Sequence, residues 1–322
     1  MIKRVALLGL AASLGCRASL PVEAESLPGT IIPGVAPKHI AVAVTRGAPG
    51  VHATVSVGAE VPLEIRDASV SGPDAALFRL VPGPRWPLRL RAREELPIAL
   101  EIAAPAGTSP GVRRARLTLV FGGNASASVV ELTVLVMKES GPEHEPALQD
   151  IVSALGYGTK IGSTAFILGT GSAPLGDELP GGWFRRAGPG PLSITTVASF
   201  TSPGARRFGY TMGPPPAAQV VGVLDGDQNQ HLHPTFEGGA QTATFDPGDA
   251  GFALWVERGD ARYHSADRLN KERAHAARIY PLKDADGATL PGRWLVAFEE
   301  STDGDYQDLV LLLANAQNGI FE

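Results

Sequence analysis

Short runs in which apolar and polar residues alternate dominate the chain from Pro37 to Met137: HIAVAV, HATVSV, VPLEIRDASV, LPIALEIAA, RRARLTLVF and SVVELTVLV, separated by glycine and proline. Alternation with period two sends successive side chains to opposite faces of a pleated strand, so each run predicts a strand with one face in a core. That many short strands in roughly 100 residues predict an immunoglobulin-like sandwich over 37–137.

Beyond Pro146 the period changes. Leu148, Ile151, Val152 and Leu155 recur at helical spacing and Gly156 follows them, which predicts one short amphipathic helix. Strand-like runs then resume as TAFILG, LSITTVASF, RRFGYTM, AQVVGVL, QTATF, GFALWVE, HAARIYPL, GRWLVAFE and DLVLLLA. No helical stretch among them is long enough to cross between parallel strands, so 147–322 predicts an antiparallel sandwich. Asp284 and Asp286 in KDADGATL read as a hairpin turn, and Trp86, Trp255 and Trp294 lie in or beside apolar runs and read as core. The expected fold class is all-β: an immunoglobulin-like sandwich followed by a larger antiparallel jelly-roll-like β-sandwich. The charged, proline-flanked KESGPEHEP forms the expected linker, 138–146.

The first residues follow neither period. MIKRVALLGLAASLGC has basic Lys3 and Arg4, an apolar run from Val5 to Leu14 too short to span a bilayer, and Gly15 before Cys16. This resembles a bacterial lipoprotein signal peptide over 1–15. The resemblance implies that Cys16 becomes a lipid-bearing N-terminus that anchors the mature chain to a membrane. It also implies the outer membrane or cell surface, because Arg17 stands where an aspartate is associated with retention at the inner membrane. Residues 16–36 are polar, proline-containing and aperiodic, and read as a tether. Cys16 is the one cysteine, so no disulfide can form within the chain and stability must come from core burial. With 28 basic and 33 acidic residues the net charge is −5, and no basic cluster exists to neutralise phosphates; nucleic acid is not an expected partner.

Candidate chemistry concentrates between the apolar runs Trp294–Phe298 and Leu309–Leu313, in EESTDGDYQD. Glu299, Glu300, Asp303, Asp305 and Asp308 crowd together there without a lysine or arginine in the segment. Ca²⁺ takes oxygen ligands of this kind, and Gly304 permits a tight turn between Asp303 and Asp305. A solvated acidic hairpin is the other reading, and the ligand order of an EF-hand is missing. In DGDQNQHLH, Asp225, Asp227 and Asn229 alternate, as do His231 and His233; on a strand each set would share a face. The histidines read as a transition-metal pair or as a polar strand edge. Trp183 and Phe184, beside Arg185 and Arg186 in the glycine-rich GGWFRRAGPGP, read as a loop that stacks on a sugar or closes the sandwich end.

Two of these regions resemble known families. Ser71, Gly72, Pro73, Asp74, Ala75 and Phe78, followed by Pro110, Gly111, Ala115 and Leu117, resemble the ASH or "choice-of-anchor D" family of immunoglobulin-like domains over about Val51 to Val136. That resemblance implies a spacer or protein-interaction module. Asn270, the strand around Ile279 and Tyr280, then Phe298, Glu299, Glu300, Gly304, Asp305, Tyr306, Asp308 and Val310 resemble the bacterial "domain of unknown function 4114" family. Gln307 replaces the usual asparagine and Glu300 the usual aspartate, each keeping a side-chain oxygen. This second resemblance implies calcium-associated surface binding or adhesion, with Asn270 joining the carboxylates.

No enzyme machinery is legible. Ser172 in Gly-Thr-Gly-Ser-Ala-Pro lacks the nucleophile-elbow pattern, glycines 156, 158 and 162 miss the dinucleotide spacing, and Cys16 leaves no thiol for catalysis. Carboxylates clustered on one hairpin suit a cation better than the opposed pair of a glycosidase. The expectation is a non-enzymatic, surface-anchored lipoprotein that binds a carbohydrate or a surface protein through a Ca²⁺-ordered C-terminal unit. A carbohydrate-active hydrolase on a jelly-roll scaffold and a purely structural envelope protein are the alternatives.

Overall fold

The computed structural model describes residues 33–81, 85–139, 141, 144–162, 173–213, 217–300 and 304–319. Cys16, most of the expected tether, the TAFILG run at 164–169, Ser172 and Asp303 lie outside them. The fold is all-β, with one α-helix among the described residues.

The first nine strands are β1 (Gly34–Ala36), β2 (His39–Thr45), β3 (Val51–Gly58), β4 (Leu63–Ser71), β5 (Phe78–Leu80), β6 (Leu88–Leu90), β7 (Glu95–Ile102), β8 (Gly111–Phe121) and β9 (Ser128–Met137). They form two sheets, in the orders β1-β3-β7-β5 and β2-β9-β8-β4-β6. Alternation decides which side chains meet: Ala115, Leu117, Leu119 and Phe121 of β8 point inward and pack with Val55, Val57, Leu100 and Ile102 of the facing sheet. All pairings here are antiparallel except one, since β2 runs parallel to β9. The Ser71–Phe78 turn is pinned to β8, where the Arg114 N–H donates to Asp74 Oδ2 at 2.8 Å.

From Leu132 onward β9 is buried on both faces. Val134 and Val136 enter the first core, while Leu135 and Met137 point the other way. Helix α1 (Leu148–Ala154) covers that second face through Leu148, Ile151 and Val152, and Gly156, at φ +83°, closes the helix as expected.

The remaining strands are β10 (Trp183–Arg186), β11 (Leu192–Ser199), β12 (Arg206–Met212), β13 (Ala217–Leu224), β14 (His231–Leu232), β15 (Thr242–Phe245), β16 (Phe252–Arg258), β17 (Ala261–His264), β18 (Ala277–Lys283), β19 (Thr289–Phe298), β20 (Leu309–Ala314) and β21 (Ala316–Gly319). They make two antiparallel six-stranded sheets. One is ordered β13-β12-β16-β10-β21 with β17 beside β16, the other β14-β11-β20-β19-β18 with β15 beside β11. The faces of the two sheets enclose Phe184, Phe208, Phe252, Leu254, Val296, Phe298, Leu309 and Leu311. The opposite face of the second sheet, with Leu282, Leu295, Ala297 and Val310, packs against α1 and, through it, Leu135 and Met137. This central sheet is therefore covered twice, which is why GRWLVAFE and DLVLLLA read as nearly unbroken apolar runs.

Two elements depart from expectation. Strand β1 lies inside the expected tether 16–36, where it pairs with β3 and buries Val35 in the first core. Trp183 and Phe184 belong not to a loop but to strand β10, which pairs with β16 and β21. Phe184 is fully buried against Phe252, and Trp183 is buried under the Arg268 guanidinium, 4.3 Å from the ring centroid. The flanking glycines hid the strand, and they are needed because the chain enters β10 against another backbone. A Cβ on Gly182, at φ +97°, would lie 2.0 Å from the Ser265 carbonyl oxygen. Trp255 is fully buried as expected, and Asp284 accepts the N–H of Asp286 and Ala288 in the β18–β19 turn.

Ile151 is fully buried where the helix joins the two halves of the chain. Ile151→Ala is expected to cost about 2–5 kcal/mol in urea unfolding, from lost transfer energy and the cavity left behind. A loss below about 1 kcal/mol would mean that the helix contributes little to the shared core.

Candidate metal centre

The segment between β19 and β20 leaves one buried strand and enters another, so its described side chains, at 299–300 and 304–308, stay inside the protein. Glu299, Asp305 and Asp308 are 1%, 3% and 5% exposed. One carboxylate oxygen from each lies within 4.8 Å of the others, the group that could hold a metal ion among the histidine, aspartate and glutamate side chains of the described residues. Backbone donors set their orientation. Glu299 Oε2 accepts from the N–H of Asp305 at 2.9 Å and of Tyr306 at 3.3 Å, and Asp308 Oδ2 accepts from the N–H of Glu300 at 2.6 Å. Gly304 turns the chain at φ +80°, and Tyr306 follows at φ +58°, an uncommon conformation for a bulky residue.

Glu300 points to a different partner. Its Oε2 accepts from Arg206 Nε at 2.8 Å, and both side chains are fully enclosed. The other guanidinium N–H groups reach the Gly204 and Ser202 carbonyls, Thr201 Oγ1 and Asn229 Oδ1, so a buried cation is satisfied in every direction. Arg206 pairs with Glu300, the carboxylate of this segment that stands outside the triad. Burial and the Glu300 charge push the Asp308 carboxyl up to about 7, and burial raises Glu300 despite its guanidinium partner.

Amide side chains complete the centre. Gln307 Nε2 donates to Asp305 Oδ2 at 2.7 Å and to Glu145 Oε2 at 3.1 Å, and Gln230 Nε2 donates to Glu145 Oε1 at 2.8 Å. Three buried acceptors of these side chains, Gln307 Oε1, Glu300 Oε1 and Gln230 Oε1, have no hydrogen-bond partner. Arg206, Glu145 and Gln230 were not singled out in the sequence. Arg206 sits in a strand whose neighbours alternate, Glu145 lies in a charged linker, and nothing local marks either as interior.

The other sequence candidates are placed elsewhere. Asn270 spends its amide on the loop before β18, accepting from the His264 N–H at 2.7 Å and donating to the His264 and Ala274 carbonyls. His231 and His233 do not share a strand face, because β14 ends at Leu232 and His233 turns away at φ +55°. Their ring nitrogens meet the Asn229 carbonyl and Gln241 Nε2 respectively. From that segment it is Asn229 and Gln230 that reach the acidic centre, while Asp225 precedes a 3₁₀ turn, Gly226–Gln228, and Asp227 lies within it.

A second polar group braces the loop from beneath. The Tyr306 hydroxyl donates to the His275 carbonyl at 2.8 Å, and the Arg278 guanidinium lies 4.7 Å from the Tyr306 ring centroid. His275 is held between Asp267 at Nδ1, 3.0 Å, and Glu178 at Nε2, 3.1 Å. Burial pulls this imidazole down, but the two carboxylates outweigh it and raise the pKa to about 9. Glu178 is shared with Arg278.

No family model matches the chain, and no curated protein matches it. Among solved structures it is similar to the E. coli chaperone DraB at 11% identity, covering 73% of this chain and 98% of that one with a TM-score of 0.27. It is similar to the periplasmic chaperone SfaE at 11% identity, covering 72% and 98% with a TM-score of 0.25. A protein of unknown function from Porphyromonas gingivalis W83 is 15% identical, with 80% and 95% covered and a TM-score of 0.26. At TM-scores this low none of them bears on what this chain does.

The His275 cluster makes a pH prediction. A folded-state pKa of about 9 against an ordinary 6.5 means that the stabilisation is complete below 6.5 and is lost as pH rises through 9. Wild-type unfolding free energy is expected to fall across that window more steeply than that of His275→Gln. Parallel pH profiles for the two proteins would show the cluster to be energetically silent.

Proposed function

We infer that this chain is an exported, non-catalytic binding protein whose C-terminal β unit is ordered by Ca²⁺ at Glu299, Asp305 and Asp308. The convergence of these three buried carboxylates within 4.8 Å carries the reading. At an effective dielectric of about 20, two like charges at such a separation repel by roughly 3–4 kcal/mol, and the triad contains three such pairs. A divalent cation attracts every carboxylate of the triad and so outweighs their mutual repulsion, whereas protonation relieves only part of it.

The donor chemistry favours calcium over other metals. Every side chain of the centre offers oxygen, with no imidazole or thiolate turned into it, which suits a hard cation rather than zinc or copper. Ca²⁺ accepts six to eight oxygens, and the unpartnered Gln307 Oε1 and Glu300 Oε1 are further acceptors beside the triad. Mg²⁺ holds its waters and demands stricter geometry, a poorer fit to so crowded a buried site.

Three features support the non-catalytic part of the reading. The carboxylates converge on one point instead of flanking a scissile bond, and each is at most 5% exposed, out of reach of a polymeric substrate. The two clefts of about 580 Å³ are lined by other residues. Export and anchoring rest on the N-terminal pattern ending at Cys16, with the first sandwich as spacer and the second presenting the surface for a carbohydrate or protein ligand.

Calorimetric titration of Ca²⁺ into chelator-stripped protein spanning residues 17–322 is expected to give saturable heat and a raised unfolding temperature. The variant Asp305→Asn, Asp308→Asn should lose both while keeping its fold, because amides carry no charge to repel. Absence of heat and of any thermal shift at millimolar Ca²⁺ in the wild type would overturn the reading. Separately, full-length protein expressed in a bacterial host is expected to partition into detergent, and Cys16→Ala to move it to the aqueous phase; equal partitioning would remove the lipid anchor from the proposal.

A further inference from the structure

We propose that Glu145 makes calcium binding and the seating of the linker between the two sandwiches a single equilibrium. This rests on the cation reading above and adds a part of the chain that neither the triad nor its loop contains. Glu145 precedes α1 by three positions and is 8% exposed. Its Oε1 accepts from Gln230 Nε2 and its Oε2 from Gln307 Nε2. The same Gln307 nitrogen donates to Asp305 Oδ2 at 2.7 Å, so one buried amide bridges the linker carboxylate and a carboxylate of the triad.

A second observation points to a ligand at this junction. Gln307 is fully buried with its head group on Asp305, and its Oε1 has no partner. A buried amide that gives its nitrogen to two carboxylates and keeps its oxygen without a protein partner presents an acceptor to which a cation can bind. With the ion bound, the triad no longer repels Glu145, and the bridge from Asp305 through Gln307 to the linker is strengthened. Without the ion, Glu145 adds one more negative charge to a centre that already carries an excess, and its seat weakens. Because α1 follows directly and packs on Leu135 and Met137, the seated linker also fixes how the first sandwich meets the second.

Linkage makes the coupling reciprocal: calcium must protect the linker, and the linker must raise calcium affinity. The experiment uses protein spanning 17–322, with calcium binding followed by calorimetry and hydrogen exchange followed in peptides covering 144–149. For the wild type, saturating Ca²⁺ is expected to slow exchange there at least tenfold. Glu145→Gln should lower affinity about tenfold, the usual loss when a partner one layer out from a metal is removed, and should make exchange in that segment independent of calcium. Gln230→Ala, which removes the hydrogen bond to Glu145 Oε1 without touching the triad, is expected to lose the protection too, and far-ultraviolet circular dichroism checks both variants for folding. Saturable calcium binding to the wild type, combined with unchanged exchange at 144–149 and Glu145→Gln affinity within twofold of it, would overturn the coupling and leave the cation site standing. Absence of binding to the wild type would remove both.

Discussion

A β-sheet covered on both faces has no wet side, and the strands at the centre of this molecule live under that constraint. In β18, β19 and β20, side chains of one parity meet the outer six-stranded sheet and those of the other meet α1 and the first sandwich. The loop from Glu299 to Asp308 connects two such strands, so it starts and ends inside the protein. Its carboxylates are buried because their strands are. The rest of the site answers the cost of holding charge there: Arg206 against Glu300, amides against Asp305 and Glu145, and a bulky Tyr306 held at positive φ to keep the turn closed.

The same constraint explains what could be read from the chain without coordinates. Period-two alternation marks a strand with one wet face, and β8 and the first half of β9 show it plainly. Where β9 becomes buried on both sides, and throughout DLVLLLA, alternation vanishes; apolar content still signals a strand but no longer says what covers it. The acidic segment was visible because charge beside such runs is locally anomalous. Its partners were not, because Arg206 and Glu145 are 94 and 162 positions away from the residues they serve. One of the two arginines in RRFGYTM and a glutamate in a charged linker look like surface residues until the fold brings them in.

Two local readings failed for a related reason. Glycines around Trp183 and Phe184 mark loops in most chains, yet here they admit a strand past the Ser265 carbonyl. The alternating His231 and His233 satisfied a spacing rule that holds only while the backbone stays extended, and β14 ends between them. In both cases side-chain pattern was sound and backbone conformation decided the outcome. Helix α1 escaped this difficulty, because its apolar stripe and its closing glycine lie within nine consecutive residues, Leu148 to Gly156.

The parallel pairing of β2 with β9 has a mechanical side. The chain enters β2 at His39 and leaves β9 at Met137, opposite ends of a ladder in which seven residues, His39 to Thr45, face Glu131 to Met137. Tension between β2 and the second sandwich that follows β9 therefore pulls the two strands lengthwise past each other once β1, which pairs with β3, has been released. Every rung is loaded together in shear, where an antiparallel hairpin pulled from its open end would peel one rung at a time. Resistance to a lengthwise pull on these two strands thus depends on the direction of one of them.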